Sequence, residues 1–97
     1  MKILAPYRAR LDALDDQIVD LLSERLSIIQ EVAELKAEQG IPAVLEDRVQ
    51  EVIERASARA EKNGASGALV RRLYTVLVTY CCDAEEQVIS GEAQKRG

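Results

Sequence analysis

Residues Tyr7 to Glu38 read YRARLDALDDQIVDLLSERLSIIQEVAELKAE, a stretch with no glycine and no proline. Within it Leu11, Leu14, Ile18, Leu21, Leu22, Ile28, Ile29, Val32 and Leu35 recur at steps of three and four, the spacing of one face of an α-helix. Pro6 stands where a first-turn proline is tolerated, and Gly40 followed by Pro42 makes a firm stop. A helix over about 7–38 is roughly 48 Å long at 1.5 Å per residue. A compact chain of this size has a radius of gyration of only about 13 Å. The helix therefore overshoots its own domain and carries an apolar stripe with it. An exposed stripe of that length marks a partner surface, and a second copy in a symmetric homodimer is the simplest partner.

Outward from this helix the same periodicity continues. A second helix is expected over about 45–62, with Val49, Val52, Ile53 and Ala56 inward, ending at Asn63-Gly64. A third follows over about 67–89, capped by Ser66 and lined by Leu69, Val70, Leu73, Val76, Leu77, Tyr80 and Cys81. Ser90-Gly91 is its expected end, with 91–97 a frayed tail. The fold class is thus all-α, three helices per chain, in a single domain spanning 1–97.

Composition agrees: 97 residues, two prolines, five glycines, three tyrosines, and neither Phe nor Trp. The formal charge of −4 argues against a nucleic-acid partner. No apolar run reaches the length of a membrane span, and Met1–Pro6 is too short for a signal-peptide core. Cys81 and Cys82 are adjacent and have no second pair, which suggests neither a disulfide framework nor a zinc site. With no His, no Gly-rich loop and no Cys/His cluster, the chain reads as a reduced cytoplasmic protein that needs no metal and no cofactor.

Two cations break the amphipathic pattern. Arg25 and Lys36 lie 11 residues apart, within roughly 20° of each other on a helix, and their bearing falls inside the stripe of Ile18, Leu22, Ile29 and Val32. Arg48 opens the apolar face of the second helix, and Arg8 sits at the far end of the first. A cation carried into an apolar face needs an anionic partner. Either Glu24, Glu31, Asp47 or Glu85 supplies it as an ordinary ion pair, or the cations form a pocket for a small dianion, a task suited to the bidentate guanidinium. Acidic residues such as Asp15, Asp16, Asp20 and Glu51 read as a solvated face.

The segment Arg8-Ala9-Arg10-Leu11-Asp12, continuing through Leu21-Leu22-Ser23-Glu24-Arg25 to Lys36 and then Asp47-Arg48, resembles the all-helical chorismate mutases. The match runs over nearly the whole chain, with the four basic positions in register. The resemblance implies an intertwined homodimeric helical bundle with two equivalent sites. Each site would take Arg25, Lys36 and Arg48 from one chain and Arg8 across the interface from the other. It implies a small-molecule dicarboxylate substrate, chorismate, rearranged to prephenate without a cofactor. Arg8 and Arg25 would grip the carboxylates, Lys36 would donate to the ether oxygen, and Arg48 would help place the ring. The enzyme would hold the substrate in a near-attack shape and stabilise charge growing on that oxygen.

Three departures from the family's best-known bacterial members bear on the substrate. Val49 stands where they carry a Glu that contacts the ring hydroxyl, and a Val there also reads as plain core. Glu85 falls where they place a Gln beside the ether oxygen, with Cys81 one turn earlier; a shifted register would bring Glu86 or Gln87 there instead. An ionised Glu cannot donate a hydrogen bond, whereas a Gln always can. Gly40-Ile41-Pro42-Ala43 with Val49 looks like the related isochorismate pyruvate lyases. The sequence leaves chorismate, isochorismate and 4-amino-4-deoxychorismate open as substrates. It also leaves a non-catalytic helical dimerisation or regulatory domain as a reading of another class.

Overall fold

The computed structural model describes the backbone of residues 1–96 and the side chains of residues 1–91. A 3₁₀ turn, Lys2–Leu4, leads into α1 (Ala5–Gln39), followed by α2 (Glu46–Lys62) and α3 (Gly67–Arg96). The described residues contain no strand, and the all-α expectation holds. No helix among them is long and apolar enough to cross a membrane.

The punctuation follows backbone chemistry. Gly40 sits in the left-handed region at φ 70°, where a Cβ is costly, and its N–H and that of Ile41 both return to the Lys36 carbonyl. Gly64 takes the equivalent left-handed turn after α2 at φ 77°. The Ser66 hydroxyl accepts the Leu69 N–H at 3.1 Å, the expected N-terminal cap of α3. At its other end α3 does not stop at Ser90-Gly91 but runs on to Arg96. A lone helical glycine costs only about 1 kcal/mol, and no proline follows to enforce a stop. Part of the expected tail, residues 91–96, is therefore helical, and Gly97 lies outside the described residues.

The helices do not form a closed bundle. Among the described residues α1 and α2 each pack on α3 and not on one another. The chain measures 61 × 26 × 15 Å with a radius of gyration of 17.4 Å, well above the compact value of about 13 Å. Most of the α1 stripe is uncovered: Leu11, Leu14, Ile18 and Leu22 are exposed, and Ala33 is the buried residue of that helix.

The inward face of α3 also differs from expectation. Leu69, Leu73, Val76 and Tyr80 are exposed, Val76 by 71%. The face packed on the rest of the chain carries buried Val78, Cys81 and Glu85, with Val70 and Leu77 half-buried. Helix α3 has two apolar faces, and a single chain covers only one of them. On α2 the expected Ile53 is buried, joined by Ser57 and Ala60. The Ser57 hydroxyl donates to the Gly67 carbonyl at 3.1 Å and ties the α2–α3 corner.

Candidate active site

A cleft of about 340 Å³ opens between α1, the loop after it, α2 and α3. Helix α1 supplies Arg25 and Lys36, both half-buried on one face; α2 supplies Arg48 and Val49; α3 supplies Cys81 and Glu85. These six are the residues singled out from sequence, apart from Arg8. Ile28, Ile29, Val32 and Val52 make the rest of the wall apolar, a surround in which charge interactions are strong.

The centre of the cleft is an ion pair. Lys36 Nζ lies 2.8 Å from Glu85 Oε1, with the two side chains only 14% and 6% exposed. The same ammonium donates to the Ala43 carbonyl at 2.9 Å. The approach to Oε1 is an electrostatic contact outside hydrogen-bond angles, and that oxygen has no hydrogen-bond partner. An ammonium has three N–H donors; with one on Ala43 it retains donors for a ligand. Glu85 is thus the carboxylate that compensates Lys36. Among the described residues, Glu24, Glu31 and Asp47 pair with none of the cations. Glu86 and Gln87, the alternatives by register, are exposed and outside the cleft.

Arg25 Nη1 donates to Cys81 Sγ at 3.4 Å, joining α1 to α3. Sulfur is a weak acceptor, so the guanidinium keeps most of its donor capacity. Arg48 is exposed and turned to Glu51, one turn along the same helix. Cys82 lies against the same pair: burial pushes its thiol up, the Glu85 carboxylate adds to that, and Lys36 opposes it. Cys81 and Cys82 are both free.

Arg8 is elsewhere. It is exposed near the start of α1, 28 residues before Lys36 and hence roughly 42 Å from it along the helix. Sequence reasoning missed Ala43, which acts through its backbone carbonyl. Every residue type carries that group, and only the turn after Gly40 aims it at Lys36. Cys82 was missed because helical spacing pointed to Cys81 alone.

Arg25, Lys36 and Arg48 beside Glu85, in an apolar cleft of small-molecule size, make a helical site suited to a small organic anion. The comparisons are more specific. The family model for chorismate mutase type II matches residues 7–86, and the chain belongs to that family. It is 34% identical over 90 residues to the 4-amino-4-deoxychorismate mutase of Streptomyces venezuelae, covering 93% of this chain and 87% of that one. The 4-amino-4-deoxychorismate mutase of Streptomyces pristinaespiralis is 32% identical over 87 residues, 90% of this chain and 67% of the other. The chorismate mutase of Methanocaldococcus jannaschii is 24% identical over 92 residues, 95% of this chain and 93% of the other.

Proposed function

We propose that this chain is a mutase that converts chorismate to prephenate by a pericyclic shift in which the ether C–O bond breaks as a C–C bond forms. The observation that carries this reading is the convergence of Arg25, Lys36 and Arg48 on one apolar cleft. Arg25 binds one carboxylate, Arg48 places the ring, and Lys36 turns an N–H toward the ether oxygen where negative charge develops. Glu85 compensates the Lys36 ammonium and holds it in place. On this reading Glu85→Ala, which removes the carboxylate that positions the ammonium, lowers turnover. Turnover unchanged in that variant contradicts the role given to Glu85.

The second carboxylate needs a cation that this cleft lacks. A second copy supplies Arg8, completing two equivalent sites in a homodimer. The projecting α1 stripe and the uncovered α3 face of Leu69, Leu73, Val76 and Tyr80 support that arrangement. The free thiols of Cys81 and Cys82 suit the reducing cytoplasm as its place of work.

A second reading, the same rearrangement of 4-amino-4-deoxychorismate, is favoured by the names of the two Streptomyces relatives, which match this chain almost end to end. Val49 presents no polar group to the substrate's ring substituent and so selects neither the hydroxyl nor the amine. Chorismate, its 4-amino analogue and isochorismate offered in parallel decide the matter. Prephenate from chorismate supports the first reading, rearrangement of the amine alone the second, and salicylate plus pyruvate from isochorismate neither. Turnover of none of the three favours a non-catalytic helical domain.

A further inference from the structure

Beside the cleft just described lies a second, wider one of about 670 Å³. Arg25, Arg48, Arg55, Arg59, Lys62 and Tyr74 line it. Four of these cations come from α2 at positions 48, 55, 59 and 62, steps of seven, four and three that keep them on one face of the helix. No acidic side chain of α2 lines this cleft: Glu51 pairs with Arg48 within the row, and Glu54 is drawn to Arg71 of α3 through two hydrogen bonds of 2.7 and 3.0 Å. Among the described residues Arg55, Arg59 and Lys62 have no ion-pair partner. In a chain of net charge −4 this is a local positive field facing open space.

Arg25 and Arg48 line both clefts, so the basic row runs without a break into the proposed active site. From Arg48 to Lys62 the row extends roughly 21 Å. That is about two screening lengths at 0.1 M salt. A row of this reach attracts an anion well before it touches the site. The chain as a whole repels dianions, and the face leading to the cleft reverses that sign.

We infer that Arg55, Arg59 and Lys62 collect the dicarboxylate substrate and pass it along α2 to Arg48 and Arg25. This rests on the mutase reading above and adds to it the route of approach and three residues outside the reacting cleft. Attraction of this kind acts on encounter and on the loosely bound state. It is felt in KM and in the response to salt, not in the rearrangement itself.

The test is steady-state kinetics of the full chain and of Arg55→Gln/Arg59→Gln/Lys62→Gln, from about 20 mM to about 500 mM salt, where screening shortens several-fold. The triple variant should show KM raised about five- to tenfold at low salt with kcat held within twofold. Its kcat/KM should depend less on salt, and the two proteins should converge at high salt. Arg55→Lys/Arg59→Lys, which keeps the charge, should behave like the parent. Parent-like KM and salt response in the triple variant overturn the inference and leave the mutase reading standing. A fall in kcat together with loss of the dimer in sedimentation also overturns it, since the row then holds the second copy and not the substrate. No turnover of any dicarboxylate by the parent overturns the mutase reading and this inference with it.

Discussion

Lys36 and Glu85 set the energetics of the cleft. Each is taken largely out of water, and each is compensated chiefly by the other. Removing one partner of such a pair leaves the other buried and uncompensated, a loss of about 3 kcal/mol or more. Lys36→Ala should therefore lower stability by about that amount while cutting kcat by roughly 10²–10³-fold, the effect of losing a donor to a developing oxyanion. Lys36→Met/Glu85→Leu should regain most of the stability and none of the activity. Urea denaturation beside turnover separates the two effects; a Lys36→Ala protein as stable as the parent contradicts the pairing. A second pair gives a pH signature. The Arg71 guanidinium, through its hydrogen bonds and its charge, holds the Glu54 carboxyl below its ordinary value. A carboxyl depressed in the folded state contributes stability above its unfolded value and loses it as the pH falls through the folded one. The stability difference between the parent and Arg71→Ala should thus be present at neutral pH and vanish in acid. The pair is exposed, so the difference is small and shrinks in salt. Melting curves at both pH values check it.

At the scale of elements, the turn after α1 matters because it builds part of the cleft. Gly40 reverses the chain in the left-handed region and lets the Ala43 carbonyl reach Lys36. There is free space where a Cβ would go, so the cost of a side chain there is conformational alone. Gly40→Ala should destabilise the protein by about 1–2 kcal/mol, read as a lowered Tm. Turnover should fall less than in Lys36→Ala, because the ammonium itself remains. Helix α3 shows how far local pattern reaches. Its apolar residues at 69, 73, 76 and 80 keep perfect helical spacing and still face outward. Periodicity identifies a face as apolar and is silent on which neighbour covers it. A glycine often ends a helix, but Gly91 has no left-handed turn or proline beside it, and the helix passes through.

At the scale of the whole molecule, a lone chain leaves α1 projecting with its apolar stripe exposed. If a second copy supplies Arg8, sites complement across chains. Arg8→Ala and Lys36→Ala should each be inactive as homodimers. Mixed and refolded together they should regain about a quarter of parental activity, because half of random pairs are mixed and each such pair carries one complete site. No recovery, with mixed dimers present by mass, rules out the shared site. The melting temperature should also rise with protein concentration, as it does when folding is linked to association.

Three helices, the approximate length of α1 and the cations in its stripe were legible in the sequence, while the end of α3 was not. Each of these is a matter of spacing along one chain, and an 11-residue step on a helix fixes which side chains share a bearing. Glu85 could be placed on α3 by resemblance. That it stands 2.8 Å from Lys36, 49 positions away, follows only from how α3 packs across α1. The basic row on α2 was invisible for a related reason. Glu51 lies one turn from both Arg48 and Arg55, and Glu54 is free to pair within its helix or across to α3. Tertiary packing drew Glu54 to Arg71, Glu51 turned to Arg48, and Arg55, Arg59 and Lys62 were left facing the open cleft. Charge pairing between elements is decided by distances that only the folded chain creates, because a one-residue shift in packing exchanges one partner for another at almost no local cost.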